Sequence, residues 1–421
     1  VFHKYLLLFY FTFGFTEIYA VETASVLPKK IVRARLVNVY SNDVQYNYNN
    51  DGQLSGLSQG LNQSLDMRSF AKMNNDLGKL YNALNSLESG LGDELINSQI
   101  YSDTQMQVHQ ALVAAEYGIS KKITLGLRVP VVRRRLKTSF EVQTINNAKA
   151  ISQKLGSGIS PDLKAGLGKV AATNFDGDFF AAAALESKGY QRPESFDKTD
   201  LGDIEVGLKH RFYSTPSRDM SYQIGLRLPT GNTGEIDNLF DSGTGGGNWA
   251  LGALFFHDYK LNKNITFGLM TKAVYNLPDT RKRAVPRDED DSLPSLLAED
   301  GQVRDVTRRQ SIDFESEISS TYTFDSGEWE IWGAYQYNES AKDHFEDSSE
   351  NDPSLYYQGL SEGTDFKELS AEVGLTYSTI PAFVAKKFFA PMQIDALYNT
   401  RINGTNTSKA SYVRVDAKVY F

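Results

Sequence analysis

From Ile31 to the C-terminus, apolar and polar side chains alternate with a period of two over stretches of about ten residues. That is the spacing of a β-strand whose two faces meet different surroundings. The clearest case runs from Arg309 to Phe324. There Ile312, Phe314, Ile318, Tyr322 and Phe324 fall on one face, and Asp313, Glu315, Glu317 and Thr321 on the other. From Gly327 to Asn338, Trp329, Ile331, Tyr335 and Tyr337 oppose Glu328, Glu330 and Gln336, with Trp332 an exception. Met220, Tyr222, Ile224, Leu226 and Leu228 oppose Ser221, Gln223 and Arg227 in the same way. Outside the first long loop, no amphipathic helix competes with this pattern.

A soluble sandwich also alternates. Two features separate this chain from one: most connections alternate between short and long, and the last strand ends on the aromatic Phe421. Short periplasmic turns with longer extracellular loops are the habit of outer-membrane barrels. The spacing therefore predicts an all-β fold, a transmembrane antiparallel up-and-down β-barrel. Down-running strands are expected at about 105–119, 162–174, 201–213, 248–259, 309–324, 365–378 and 410–421. Up-running partners are expected at about 31–41, 122–132, 178–188, 219–229, 264–276, 327–338 and 388–400. That makes about fourteen strands, even as in single-chain bacterial barrels. The alternative is twelve, if residues 31–41 and one of the Gly- and Ala-rich segments near 162–188 stay out of the wall. Pro130 is expected at the upper end of its strand, because a closed wall has no free edge to hold a proline.

Composition removes other classes. The 421 residues carry a net charge of −8, which offers no basic face for nucleic acid, and 41% hydrophobic residues are too many for a disordered chain. The absence of cysteine excludes disulfides, thiolate zinc sites and thiol nucleophiles. A mean hydropathy of −0.39 argues against a bundle of membrane-spanning helices. Residues 5–19 form an apolar run preceded by Lys4 and closed by Ala20, too short to span a bilayer. Residues 1–20 thus read as a secretory signal peptide and residues 21–421 as a barrel of the bacterial outer membrane.

The aromatics fit interfacial girdles. Trp249, His257 and Tyr259 share one face, as do Ile265, Phe267 and Tyr275. In the last strand Val413, Val415, Ala417, Val419 and Phe421 face one way. A terminal aromatic on that face resembles the C-terminal signature recognised by barrel-assembly machinery. Expected partners are that machinery, outer-membrane lipid and lipopolysaccharide, and small-molecule solutes; nucleic acid is not one.

Residues 42–104 form a long loop, extracellular or plug-forming, in which Leu65, Phe70, Leu77, Leu80, Leu84 and Leu87 recur at helical spacing. This predicts either a helix folded over or into the barrel mouth as a gate, or a surface helix packed on neighbouring loops.

Alternation also assigns the lumen-facing side chains. Asp313, Glu315, Glu317, Glu328, Glu330, Glu368 and Glu372 make an acidic wall. Closure brings Arg414 and Lys418 beside Arg33 and Arg35, with Arg128 and Arg227 further round, as a basic wall interrupted by Asp416. Opposed walls would set up a transverse field that orients polar solutes. The alternative is that these residues are salt-bridged across a filled lumen. Above the membrane, Arg133, Arg134 and Arg135 are read either as a basic rim for lipid phosphates or as a solvated charge run. The loops 287–300 and 346–352 are acidic but lack the EF-hand spacing. The histidines His3, His109, His210, His257 and His344 are scattered, and the glycines from Gly231 to Gly247 lack the Lys and Ser/Thr of a phosphate loop. No catalytic residue, metal site or cofactor is expected, and the chain is not read as an enzyme.

The segment from Leu201 to Gly234, with Gly202-Asp203, Gly207-Leu208-Lys209 and Leu228-Pro229-Thr230-Gly231, followed by Gly246 to Trp249, resembles an outer-membrane transporter family associated with phenol-degradation pathways. That family is similar to the fourteen-stranded long-chain fatty-acid and aromatic-hydrocarbon transporters. The resemblance implies transport of hydrophobic or aromatic compounds, whereas the charged walls favour polar ones. The fatty-acid transporters carry an N-terminal hatch. Here only residues 21–30 precede the first strand, so a hatch is expected to come from the 42–104 loop. The functional expectation is a passive outer-membrane transporter or channel for small molecules. The alternative is a non-transporting surface barrel, an adhesin or structural protein.

Overall fold

The computed structural model describes residues 23–59, 62, 64–68, 71, 75–173, 189–192, 194–238, 240–241, 243–288 and 302–421. The expected signal peptide and the expected strand at 178–188 lie outside them. In chain order the strands are β1 (Val32–Ser41), β2 (Tyr46–Tyr48), β3 (Leu54–Gly56), β4 (Ser64–Asp66), β5 (Ile96–Gly118), β6 (Ile123–Asn146), β7 (Phe196–Leu201), β8 (Ile204–Ser214), β9 (Arg218–Leu228) and β10 (Ala250–Lys260). Then follow β11 (Ile265–Asn276), β12 (Asp279–Ala284), β13 (Val303–Arg309), β14 (Asp313–Thr323), β15 (Trp329–Ser340), β16 (His344–Asp347), β17 (Phe366–Ser378), β18 (Met392–Thr405), β19 (Thr407–Ser408) and β20 (Ser411–Tyr420).

Twelve of these close an antiparallel ring: β1, β5, β6, β8, β9, β10, β11, β14, β15, β17, β18 and β20, with β20 returning to β1. Two more, β4 and β7, bond outside it. The alternation read from the sequence is realised throughout. Ile312, Phe314, Ile318 and Tyr322 lie exposed on the outer face of the ring, while Glu315, Glu317 and Ser319 are buried inside. Exposed Leu36, Val113, Leu127, Ile224, Leu251, Phe267, Ile331, Val373, Tyr398 and Val415 continue the outer belt on the other strands. A continuous apolar exterior around a polar interior is the inverse of a soluble protein, and it is stable only with lipid against the belt. Ring closure leaves no wall strand with an unpaired edge in that lipid.

Three expectations need correction. Residues 162–174 are not a strand: helix Pro161–Ala172, capped by Ser160, buries Leu163, Leu167 and Val170. The run is Ala- and Gly-rich, and Pro161 at the first helical position sets its start. With that segment out of the wall, β6 pairs directly with β8, and the wall count is twelve with β1 included. Pro130 does not end its strand. It sits inside β6 where the outer neighbour changes from β8, paired up to Arg128, to β7, paired from Val131. A missing N–H is tolerated at that break, and Gly202, which a Cβ would drive into the Pro130 ring, donates to the Pro130 carbonyl at 2.9 Å. Finally, β5 and β6 are far longer than expected, at 23 and 24 residues. A tilted strand spans the membrane in about 9–11 residues, so the upper half of this hairpin stands clear as a tower edged by β4 and β7.

The tower carries the helices. Asn75–Leu87, Ala148–Leu155 and Pro161–Ala172 share a core of Leu80, Leu84, Leu91, Leu95, Ile151, Leu163 and Leu167. Within the first long loop, the helix expected from Leu77, Leu80, Leu84 and Leu87 is therefore present, packed on the tower. Leu65 lies in β4 instead, and Phe70 lies outside the described residues. A different part of that loop reaches the barrel mouth. Val44 and Leu57 pack with Met106, Val108, Val132 and Leu136 on the inner face of β5 and β6, joined by Phe240 from the loop between β9 and β10. A second extracellular cluster, Val285, Val306, Phe345, Tyr357 and Leu360, anchors β12, β13 and β16.

Candidate functional site: the barrel interior

Twelve of the thirteen expected wall residues occupy inward positions of the ring strands, while Glu328 sits in the turn ahead of β15. On β14, Glu315 faces Lys272 of β11 across 3.3 Å, and Glu317 accepts from Gln336 Nε2 at 2.9 Å. Asp313 accepts from Asn276 at 2.9 Å, and Glu330 from the Thr323 hydroxyl at 3.1 Å. Glu368 accepts from Asn338 at 2.7 Å and pairs with Arg401 at 2.6 Å. Glu372 accepts from Asn399 at 2.9 Å and from the Tyr412 hydroxyl at 3.1 Å.

The basic side is equally engaged. Arg35 binds Asp416 at 2.6 Å and approaches Glu116 at 3.7 Å, and Arg33 Nε donates to Glu116 at 2.6 Å. Lys418 pairs with Asp395 at 2.6 Å and with Asp416 at 3.6 Å. Arg128 faces Glu205 at 3.5 Å, and Arg227 lies 3.9 Å from Asp203. Arg414 differs from all of these: it is buried, and its guanidinium makes no hydrogen bond among the described residues.

The expected division into one acidic and one basic wall is thus not what the interior shows. Lys272 and Arg401 sit inside the acidic side, and Glu116, Asp203, Glu205 and Asp395 inside the basic side. Pairing is local, across adjacent strands, so the field across the lumen is much reduced. The sequence reading missed these partners because it took charges strand by strand. Register alone decides which of them meet.

The N-terminal segment also enters the interior. Ala24 N donates to Asp258 at 2.9 Å, Leu27 N to Thr124 at 2.8 Å, and Lys209 Nζ to the Thr23 carbonyl at 2.6 Å. Ala24 packs against Leu254, Phe256 and Met270, and the Lys209 ammonium sits 3.7 Å above the Phe256 ring. The few residues before β1 therefore reach the lumen at its short-turn end, a role expected only of the first long loop.

At the opposite rim, the residues of the 201–249 resemblance meet in space. Asp203 accepts from Gly231 N at 2.9 Å and Gly246 N at 2.8 Å, and the Thr230 hydroxyl donates to the Gly202 carbonyl at 3.0 Å. A Cβ on Gly231 would lie 2.7 Å from the Gly245 backbone, so glycine is required for this close crossing. The arginine run beside it splits by strand parity. Arg133 points outward to Asp197 at 2.7 Å, whereas Arg134 turns inward to Asp241 at 2.7 Å and Asp200 at 2.9 Å. Of the two readings of that run, a three-residue phosphate rim does not form.

No protein-family model matches the chain, and no curated protein matches it in sequence. Solved structures do match. A crystal structure of an outer membrane channel from Pseudomonas putida F1 aligns over 96% of this chain and 100% of its own, with 11% identity and a TM-score of 0.53. The chain has the fold of an outer-membrane barrel. A FadL homologue from Pseudomonas aeruginosa aligns over 93% of this chain and 90% of its own at 10% identity and a TM-score of 0.33. The toluene transporter TbuX of Ralstonia pickettii aligns over 94% and 89% at 9% identity and a TM-score of 0.32.

Proposed function

We propose that this protein is a channel of the bacterial outer membrane through which small molecules pass without an energy source. One observation carries the reading: a closed ring of twelve strands with an apolar exterior and an interior lined by charged and hydrogen-bonding side chains. Twelve strands lie between barrels packed solid at about eight and open pores at about sixteen, which leaves room for a lumen. The Pseudomonas putida relative in fold is itself described as a channel. Glu315, Glu317, Glu330, Glu368 and Glu372 with Asp313, and Arg33, Arg35, Arg128, Arg227, Arg414 and Lys418, line the path in this reading. The exposed C-terminal Phe421 would be the contact for the assembly machinery, and the outer belt the contact for lipid and lipopolysaccharide.

A second reading, a surface barrel that transports nothing, is favoured by the N-terminal segment in the lumen and the apolar cluster at the mouth. Conductance in planar bilayers separates the two. The chain from residue 21 onward should show steady openings, and Glu315→Gln with Glu330→Gln should lower its preference for cations. A folded barrel that stays silent would remove the channel reading and leave the surface role.

A further inference from the structure

Adjacent strands place one row of inward residues in direct register. Trp332 of β15 lies opposite Gly374 of β17, Gly374 opposite Leu397 of β18, and Leu397 opposite Arg414 of β20. Arg414 in turn lies opposite Val39 of β1, and Val39 opposite Gln110 of β5. Because the strands of a barrel tilt, such a row climbs the inner wall as a ramp. Trp332, Leu397, Arg414, Val39 and Gln110 are all buried. Gly374 is where the Trp332 ring lies flat on the wall, since a Cβ there would overlap the indole.

In the middle of this apolar row stands Arg414, 1% exposed, with Nε, Nη1 and Nη2 all lacking a hydrogen-bond partner. Glu372 shares the neighbourhood: its Oε1 accepts from Asn399 and Tyr412, its Oε2 has no hydrogen-bond partner among the described residues, and no ion pair joins it to Arg414 within 4.0 Å. Asp416, on the same strand, is held by Arg35 and Lys418. A buried guanidinium with all its donors idle is costly, and a planar group with two acceptor oxygens satisfies it best.

We infer that Arg414 is the anion-binding centre of a ligand site in the lumen, taking a small monocarboxylate whose apolar body lies along Trp332, Leu397 and Val39. The flanking surfaces are hydrocarbon and indole, which suits an aromatic or short aliphatic acid better than inorganic phosphate. The single guanidinium, with the Glu372 carboxylate nearby, can offset at most one negative charge, which favours a monoanion over a dianion. This inference deepens the channel reading and rests on it for the ligand's route, but binding can be measured without transport.

The test uses the full chain in detergent with Trp249→Phe and Trp329→Phe, so that Trp332 is the only tryptophan. Both replaced residues are exposed on the outer face. Sodium benzoate should quench Trp332 saturably, and neutral benzamide should bind at least about tenfold more weakly. Arg414→Lys keeps the charge but loses the two-pronged donor, and should weaken benzoate by about tenfold; Arg414→Gln should weaken it further. Heat-shifted gel mobility reports whether each variant has closed its barrel, and Arg414→Lys carries the test if Arg414→Gln fails to fold. Equal binding of benzoate and benzamide, or binding untouched by Arg414→Lys, overturns the site. Quenching by sodium chloride alone, equal to that by sodium benzoate, does the same. Benzoate binding with no flux in liposome swelling would overturn the channel and spare the site, whereas flux without benzoate binding would do the reverse.

Discussion

Asp203 offers the sharpest test of how the rim is held. Its two carboxylate oxygens accept the Gly231 and Gly246 amides at 2.9 and 2.8 Å. Asp203→Ala leaves two backbone donors at a largely buried position. A hydrogen bond to a charged group is worth about 1.5–3 kcal/mol, and paired losses are not fully additive, so about 2–4 kcal/mol is expected. The loss falls on the loop between β9 and β10, since the twelve wall strands keep their own ladders. At 1.4 kcal/mol per tenfold, the opening equilibrium of that loop should rise roughly 30- to 700-fold. Hydrogen exchange at Gly231 and Gly246 reads this directly, with the amides of β9 and β10 as internal reference. Asp203→Asn, which keeps one acceptor, should fall between. If exchange at the two glycines stays at wild-type rates in Asp203→Ala, the carboxylate is not what closes the loop, and the close backbone crossing alone must do so.

Burial pushes Asp241 up, but hydrogen bonds from Lys198 and Arg134 outweigh it and hold its carboxyl below the usual range. Its contribution is therefore present above the unfolded value of about 3.9 and lost as pH falls through the lower folded one. Limited proteolysis of the rim should accelerate only in that acid range, and Asp241→Asn should remove the dependence while raising the rate at neutral pH. Gly374→Val forces the Trp332 ring off the wall at a cost of about 1–3 kcal/mol, visible as a shifted Trp332 emission and a lower unfolding temperature; an unchanged spectrum would show that the ring does not rest there. Removing residues 23–27 frees Asp258 and the Leu254–Phe256 surface, and should raise single-channel conductance; an unaltered conductance would show that the segment does not narrow the path.

How far the sequence could be read depends on what each residue answers to. The barrel class was legible because each wall strand meets lipid on one side and the lumen on the other, and Ile318 against Glu317 carries that information within two residues. Strand count was less legible. Pro161–Ala172 has the small side chains of a weak strand, and its Ser160-Pro161 start together with its packing against Leu80 and Leu84 of another segment decides for helix. The inward side of each candidate wall residue followed from parity. Its partner did not, because Lys272 meets Glu315, and Arg401 meets Glu368, through a register that no single strand contains. Trp332 was visible only as a break in the pattern. The glycine opposite it turns that break into a fitted contact.

The long strand β6 passes from one solvent to another, and its outward side chains record where. Leu125, Leu127 and Val131 are exposed hydrocarbon; Arg133, Arg135 and Lys137 follow at once on the same face. Across the next two strands Arg133 is level with His109 and Tyr40, whose rings stack at 4.2 Å. From Ile123 to Val131 is about 26 Å of strand, or roughly 20 Å of height once tilted, a match for a thin bilayer. Sinking by one pleat would drag the charge of Arg133 into hydrocarbon, and rising by one would lift Val131 out of it. The barrel is therefore fixed in depth by its own side chains, and the rest of β6, about 43 Å of strand from Arg133 to Asn146, is left on the watery side of that boundary.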